Sequence, residues 1–370
     1  MFLFNNQRIL KTKQVLKNLK LNAFLLSNFY NIFYLTGFKG LSFSERESFF
    51  LVTQNRNYLF TDSRYFLSSK KLQNDQIVLI SHKKNLINFL QEIFKKEKIK
   101  SCGFEAEDMK VNELNTLTTK IKNVKFVPTE KIILNQRAIK DKKEIKKIKK
   151  ACQISEKCLK TIIKLIKKGV SEKEIALKIE FFLKEKGFDL AFYPVVAFDE
   201  SSSLPHYNTQ AGNNKKLKEK GVILIDFGVK FENYCCDITR VFFFKKPKNE
   251  FINLYQKLLL AQQKTINFCQ KNRTTKIIDK FCRENLNKEL FNFSSYFYSH
   301  STGHGVGLEI HELPTISAKS KEKITNNQIF TIEPGIYIPQ KYGLRIEDMI
   351  LIENNKPKIL TQFSKEIIIL

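Results

Sequence analysis

Three of the chain's five histidines, His300, His304 and His311, fall within SHSTGHGVGLEIHELP (299–314), interleaved with Gly303, Gly305 and Gly307. Spacing of i, i+4 would put His300 and His304 on one helix face, but three glycines weigh against a helix. An extended or irregular segment with close backbone approach is expected instead. Four acids sit in apolar, strand-like runs: Asp226 after VILI, Asp237 after YCC, Glu333 in FTIEPG and Glu347 in LRIEDM. Buried acids are costly unless a positive charge pairs with them, and no lysine lies within these strand cores. Asp226 and Asp237, with Gly228 and Asn233 between them, predict two strands joined by a turn with their carboxylates side by side. Glu333 and Glu347 predict a second such pair, connected through Pro339 and Gly343. Four carboxylates and one imidazole suit a pair of divalent cations such as manganese or cobalt better than a tetrahedral structural zinc. Four negative charges would balance two dications.

Rival readings of single motifs fail on their context. IDFG could be a kinase metal loop, but no Gly-rich loop or HRD element accompanies it. GHGVGL has Leu308 where a dinucleotide loop needs its last glycine. A lone Asp in a strand is usually a turn or edge residue; the five donors together carry the inference.

The elements that must position these residues are legible as periodicities. From 1 to about 130, short apolar runs (NAFLLS, SFFLVT, NYLFTD, QIVLIS) alternate with helical stretches such as KNLINFLQEIFKKEK, where Leu86, Phe89, Leu90, Ile93 and Phe94 form one face. That predicts a small α/β domain over 1–135. The stretch FVPTEKIILNQRAIKD reads as the junction. From 136 to 370 an α+β domain with a largely antiparallel, curved sheet is predicted. It opens with a basic helix carrying Ile145, Ile148, Cys152 and Leu159 on one face and ended by Gly169. A second helix follows, capped by Ser171 with Glu174. Strands VVAF, VILIDFG, YCCDITRVFFF, QIFTIEPGIYI and LRIEDMILIE follow, with helices from about 249 to 290 among them.

Composition bounds the function classes. A length of 370 residues exceeds one ordinary core, and 42% hydrophobic with 27% charged residues is a globular balance. No apolar run reaches bilayer length and the N-terminus lacks a secretory h-region, so a cytoplasmic protein without a membrane role is expected. Seven scattered cysteines, with no CxxC, read as free thiols. The net charge of +27 would suit nucleic acid, but it comes from 55 lysines spread along the chain against nine arginines. That pattern fits coding bias and a solvated lysine face, so nucleic acid is not expected as a partner.

The blocks LIDFG…YCCDITR, GHGVGLEIHELP, IEPGIYI and LRIEDM resemble the signatures of the metallopeptidase family containing aminopeptidase P, prolidase and methionine aminopeptidase, whose fold is called pita-bread. NAFLLSNFYNIFYLTGF and LFTDSRYF resemble the creatinase-like N-terminal domain of its proline-specific members, and QRAIKDKKEIKKIKKA their inter-domain junction. The resemblance implies two metal ions, manganese first and cobalt or zinc as alternatives, held by Asp226, Asp237, His304, Glu333 and Glu347, with Asp237 and Glu347 bridging. It implies substrate roles for His206, His300 and His311, an orienting role for Arg345, and a proton shuttle at Glu333. Asn233 stands where the family often has glycine. Tyr207, Tyr234 and Tyr337 are read as packing residues first and as cleft-lining residues second.

The activity implied is removal of an N-terminal residue preceding proline, by a metal-bridged hydroxide attacking the scissile carbonyl. Peptides with proline second would be substrates, and a homodimer is expected. The alternatives are an Xaa-Pro dipeptidase and, from another class, a non-catalytic pita-bread protein with a basic nucleic-acid-binding surface. Methionine aminopeptidases usually lack the N-terminal domain. Creatinase-type hydrolysis is weakened by the metal set.

Overall fold

Runs of consecutive β-branched and aromatic residues form the central strands of both halves, because strands buried on both faces need no polar alternation. The computed structural model describes all residues except 1, 4–5, 43–44, 66, 68–71, 74–75, 82, 213 and 290–297. Phe66 of TDSRYF and residue 290 of the expected helical region lie outside the described residues. The chain divides into two compact units, Met1–Arg137 and Ala138–Leu370.

The first unit runs β1 (Phe2–Leu3), α1 (Asn6–Asn18), β2 (Ala23–Leu26), α2 (Phe29–Thr36), β3 (Ser48–Thr53), β4 (Asn57–Asp62), β5 (Leu72–Gln73), β6 (Gln76–Ile80), α3 (Leu86–Lys96), β7 (Ser101–Glu105), α4 (Val111–Lys120), β8 (Lys125–Thr129) and α5 (Ile132–Ala138). Six strands form one mixed sheet in the order β6-β4-β3-β2-β7-β8. The outer pairs are parallel, and the β2–β3–β4 meander is antiparallel. The expected apolar face of α3 packs on this sheet, with Leu90, Ile93 and Phe94 buried beside Leu25, Leu51 and Phe60. β7 and β8 were not among the expected strands, because SCGFE and KFVPT are short and interrupted by Gly103 and Pro128.

The second unit opens with α6 (Lys142–Ile162), the expected basic helix, whose buried side includes Ile148, Cys152 and Leu159. Gly169 does not end it. The helical turns stop at Leu165, and Gly169, at φ +84°, turns the chain toward the next cap. There Ser171 and Glu174 form the expected capping box of α7 (Glu172–Glu185). Next come β9 (Asp189–Leu190), β10 (Val195–Phe198), β11 (Gly221–Phe227), β12 (Val229–Phe231), β13 (Tyr234–Cys235), β14 (Ile238–Phe244), α8 (Asn249–Phe268) and α9 (Thr275–Glu289). The chain closes with β15 (Gly303–Gly305), β16 (Glu312–Ile316), β17 (Ile329–Ile332), β18 (Gly335–Ile338), β19 (Tyr342–Arg345), β20 (Asp348–Glu353) and β21 (Lys356–Ile359). Every named strand pairing in this unit is antiparallel.

Two expected long strands are each broken in two. QIFTIEPGIYI divides at Glu333-Pro334 into β17 and β18, and LRIEDMILIE divides at Ile346-Glu347 into β19 and β20. β17 pairs with β20 and β18 with β19, so one hairpin changes sheet halfway along. Proline cannot donate to a ladder, which makes Pro334 a natural breaking point. Gly343 belongs to β19 and not to the turn, and its N–H donates to Ser202 Oγ at 2.7 Å. The first hairpin behaves alike: β11 pairs with β14, while β12 and β13 leave that sheet and join β9. Its tip holds Glu232 at φ +46° and Asn233 at φ +70°. Asparagine is among the few side chains that adopt this left-handed conformation readily, so it serves where a glycine would.

Candidate metal centre

The breaks in the two hairpins carry three of the four acids. Asp226 lies in β11 opposite Thr239 of β14, and Asp237 precedes β14 in the gap left by the departing hairpin tip. Glu333 and Glu347 occupy the β17/β18 and β19/β20 breaks. A strand break frees a side chain from strict in-and-out alternation, so four acids can face one point.

His304 comes from β15, between β16 and β17. A side chain at Gly303 would overlap the Thr331 carbonyl, and one at Gly305 the Leu313 carbonyl, so only glycine lets the backbone pass here. The register slips between His304 and Gly305, a bulge that re-aims the imidazole. His304 Nδ1 lies 3.1 Å from the Gly305 carbonyl, which can only accept; Nδ1 therefore carries the proton and Nε2 presents its lone pair. That Nε2 is 3.6 Å from Asp237 Oδ2 and 3.5 Å from Glu333 Oε1. Donor atoms of Asp237, His304 and Glu347 all lie within 4.8 Å of one another.

Arg345 anchors the opposite side. Its guanidinium forms an ion pair with Asp226 Oδ2 and donates to Thr239 Oγ1 (3.1 Å), Tyr337 Oη (2.8 Å) and the Pro205 carbonyl (3.1 Å). Thr239 in turn donates to Glu347 Oε2 at 2.7 Å. Tyr337 Oη lies 3.1 Å from His300 Nε2, and His300 Nδ1 is 2.8 Å from the Ser301 carbonyl. By the same tautomer argument, the Tyr337 hydroxyl donates to His300 while accepting from Arg345. Tyr337 is thus part of the polar network, not packing alone. Tyr207 and Tyr234 instead donate to Glu172 (2.8 Å) and Glu144 (2.9 Å). His206 and His311 are exposed, and the His311 ring meets that of His304 edge-on at 4.3 Å.

This arrangement suits cations. Asp226 Oδ1, Asp237 Oδ1 and Glu347 Oε1 are buried without a hydrogen-bond partner, an expense that bound metal removes. Burial, followed by the charge of Glu347, drives the Asp237 carboxyl well above its usual range; burial and Glu333 do the same to Glu347. Glu333 is pushed up to about 7 by burial. His304 is lowered to about 3 by burial and then by His311, which keeps it neutral and able to ligate. Oxygen-rich donors with one imidazole fit a hard or borderline divalent ion.

The structure brings Asp226, Asp237, His304, Glu333, Glu347 and Arg345 together. It ties His300 to them through Tyr337 and leaves His206 and His311 as exposed neighbours. Sequence reasoning missed Thr239 and Thr331, which bonds both the His304 backbone N–H (3.1 Å) and Glu333 Oε1 (3.3 Å). It also missed the buried Lys140–Glu312 pair (3.2 Å), in which Glu312 accepts from the Glu309 N–H and steadies the turn before His311. The threonine beside Asp237 was a usable signal, since β-alternation carries Thr239 to the same side.

Fold and site together define a candidate divalent-metal centre built on a two-unit chain. The chain belongs to the Metallopeptidase family M24, which matches residues 146–354; residues 8–139 match the Creatinase/Prolidase N-terminal domain. The fold is therefore a creatinase-like domain followed by a pita-bread domain. The chain is 31% identical to an Xaa-Pro dipeptidase of Pyrococcus horikoshii, over 98% of this chain and 99% of the relative. Among solved structures, an Xaa-Pro dipeptidase from Bacillus anthracis matches with a TM-score of 0.90 at 30% identity, covering 98% and 99% of the two chains. An X-Pro aminopeptidase from Thermotoga maritima matches with a TM-score of 0.85 at 32% identity, covering 96% and 99%. Among the described residues, no helix is long and apolar enough to cross a membrane.

Proposed function

We propose that this chain is a metal-dependent exopeptidase that hydrolyses the bond between an N-terminal residue and a following proline. Asp226 and Asp237 would hold one divalent cation, and Asp237, His304, Glu333 and Glu347 a second, with manganese the first candidate. The observation that carries the reading is the convergence of His304 Nε2 on Asp237 and Glu333 beside three buried carboxylate oxygens that lack partners. Divalent cations there supply a water of lowered pKa and an electrophile for the carbonyl. Glu333, a ligand of one cation only, would take a proton from the nucleophile and return it to the leaving nitrogen. Arg345 pairs with Asp226 and orients it. His206 and His311, exposed beside the centre, are available to donate to a substrate oxygen. A cytoplasmic homodimer completes this reading.

Whether the proline must also be the last residue separates an aminopeptidase, our first reading, from a dipeptidase. The dipeptidase reading is favoured by names: two of the three relatives above carry that description. Paired Xaa-Pro and Xaa-Pro-Yaa substrates, assayed after chelation and again with manganese, decide. Metal-restored release of the first residue from the tripeptide means an aminopeptidase; cleavage of the dipeptide alone means a dipeptidase. Cleavage of neither by metal-loaded protein would end the Xaa-Pro reading.

A further inference from the structure

His300 stands in irregular backbone between Tyr298 and Thr302, without helix or strand geometry of its own. Its ring still meets Tyr337 at hydrogen-bonding distance, so something outside the segment must hold it. α9 supplies two side chains one turn apart. Arg283 donates from Nη1 to the Tyr298 carbonyl (2.9 Å) and from Nη2 to the His300 carbonyl (2.8 Å). The same guanidinium is paired with Asp279 through Nε (3.0 Å) and Nη2 (3.1 Å). Asp279, 1% exposed, accepts from Thr302 Oγ1 at 2.6 Å. Thr302 Oγ1 also meets the Tyr298 hydroxyl at 2.7 Å, and the Thr302 carbonyl accepts from the Glu333 N–H at 2.9 Å. The segment is therefore gripped before, at and after His300.

We infer that Asp279 and Arg283 are positioning residues that set the His300 imidazole against Tyr337. A planar guanidinium suits the task because its fork spans two carbonyls two residues apart while a third edge faces a carboxylate. A lysine would keep the charge beside Asp279 but not the fork. Asp279 serves two ends: it orients the fork and takes the Thr302 hydroxyl. The inference rests on the proposed peptidase reading for its kinetic test and on geometry alone for its spectroscopic one.

The test uses the full-length chain with manganese and an Xaa-Pro substrate that the wild type cleaves. Arg283→Met raises KM about tenfold, the scale of losing a charge-assisted hydrogen bond, and His300→Ala does the same. The double variant is no worse than either single one, because both act through one ring. Arg283→Lys does not restore KM. In spectra of the metal-free ¹⁵N-histidine-labelled chain, assigned by His300→Ala, the Arg283→Met change moves the His300 signal and leaves those of the other histidines in place. Should Arg283→Met not fold, Thr302→Val removes one hydroxyl and raises KM about threefold. Multiplying effects in the double variant, restoration by lysine, a fall in kcat at constant KM or an unmoved His300 signal each overturns the inference. An inert wild type would sink the peptidase reading instead, and the His300 signal would still decide this one.

Discussion

Glu347 and Asp348 are neighbours in sequence, both are buried and both are acids, yet their surroundings are opposite. Glu347 accepts one hydrogen bond, from Thr239, and its Oε1 has none. Asp348 is saturated: Arg240 (2.8 Å) and Thr361 (2.7 Å) reach Oδ1, while Lys365 and Gln262 (3.1 Å) reach Oδ2. Burial drives the Glu347 carboxyl up, and Glu333 adds to it. Burial also opposes the Asp348 charge, but Arg240 and Lys365 outweigh it and hold that carboxyl below its usual range. Side-chain direction makes the division: Thr239 and Glu347 turn to the centre, Arg240 and Asp348 away from it. Arg240 Nη1 also donates to the backbone carbonyls of Thr239 and Glu347, fixing one acid's backbone while neutralising the other's side chain. What separates the structural acid from the proposed metal ligand here is whether the protein itself completes its hydrogen bonds.

The sharpest way to break this comparison is to neutralise each acid in turn. Glu347→Gln should lower metal-dependent activity about 10³-fold or more while leaving the metal-free protein at least as stable, since it removes one of several repelling buried charges. Asp348→Asn should do the reverse. It leaves Arg240 and Lys365 buried against a neutral group, at a cost of about 3–5 kcal/mol, while the folded fraction keeps its KM. Urea unfolding and kinetics on the same samples read both. Equal loss of stability in the two variants would erase the distinction.

The two acids also predict opposite responses to pH. Asp237, Glu333 and Glu347 are raised in the fold, so their contribution to stability is complete below the usual carboxylate range and is lost as pH rises through their elevated values, about 7 for Glu333. Chelator-treated protein should therefore melt higher near about pH 5.5 than near about pH 8. Added manganese should reverse that order, because cations compete with protons for the same oxygens. Asp348, lowered in the fold, stabilises above the usual carboxylate range and loses that contribution only as pH falls through its depressed value. In Glu347→Gln the metal-free slope should shrink; in wild type a flat melting profile would count against mutual repulsion in the centre.

Much of this was legible in the sequence because the relevant signals are local. The Ser171 box, the apolar face of α3 and the strand runs depend on residues within a few positions of one another. So did the suspicion of the glycine-flanked His304, since close backbone approach leaves a compositional trace. The strand breaks at Glu333 and Glu347 were not legible: QIFTIEPGIYI reads as one strand, and only its partner's simultaneous change of sheet makes two. Nor could the sequence separate Glu347 from Asp348 by chemistry, because Arg240, Gln262, Thr361 and Lys365 reach Asp348 from distant segments. Family resemblance picked Glu347; the structure adds that its Oε1 is buried without a hydrogen-bond partner. The Asp279–Arg283 grip on His300 was equally hidden, an ordinary i, i+4 ion pair until the carbonyls it also holds are known.

Thr239 stands on the border between the two environments and should show the smallest effect. Its hydroxyl accepts from Arg345 Nε (3.1 Å) and donates to Glu347 Oε2 (2.7 Å), joining the cation that orients Asp226 to a carboxylate that awaits one. Thr239→Ser keeps both bonds and should retain activity and metal. Thr239→Val keeps the shape but strips the hydroxyl, leaving the Glu347 carboxylate without its hydrogen bond and Arg345 Nε without this acceptor. Outer partners of this kind typically change metal affinity by about 10–100-fold, and we expect the low end, with about 1 kcal/mol of stability lost. Chelator titration against bound manganese measures the first and urea unfolding the second. If valine were as good as serine in both, Glu347 would be oriented by its backbone alone, through the Arg240 contact to its carbonyl, and the structural cluster would be the positioning device for the centre.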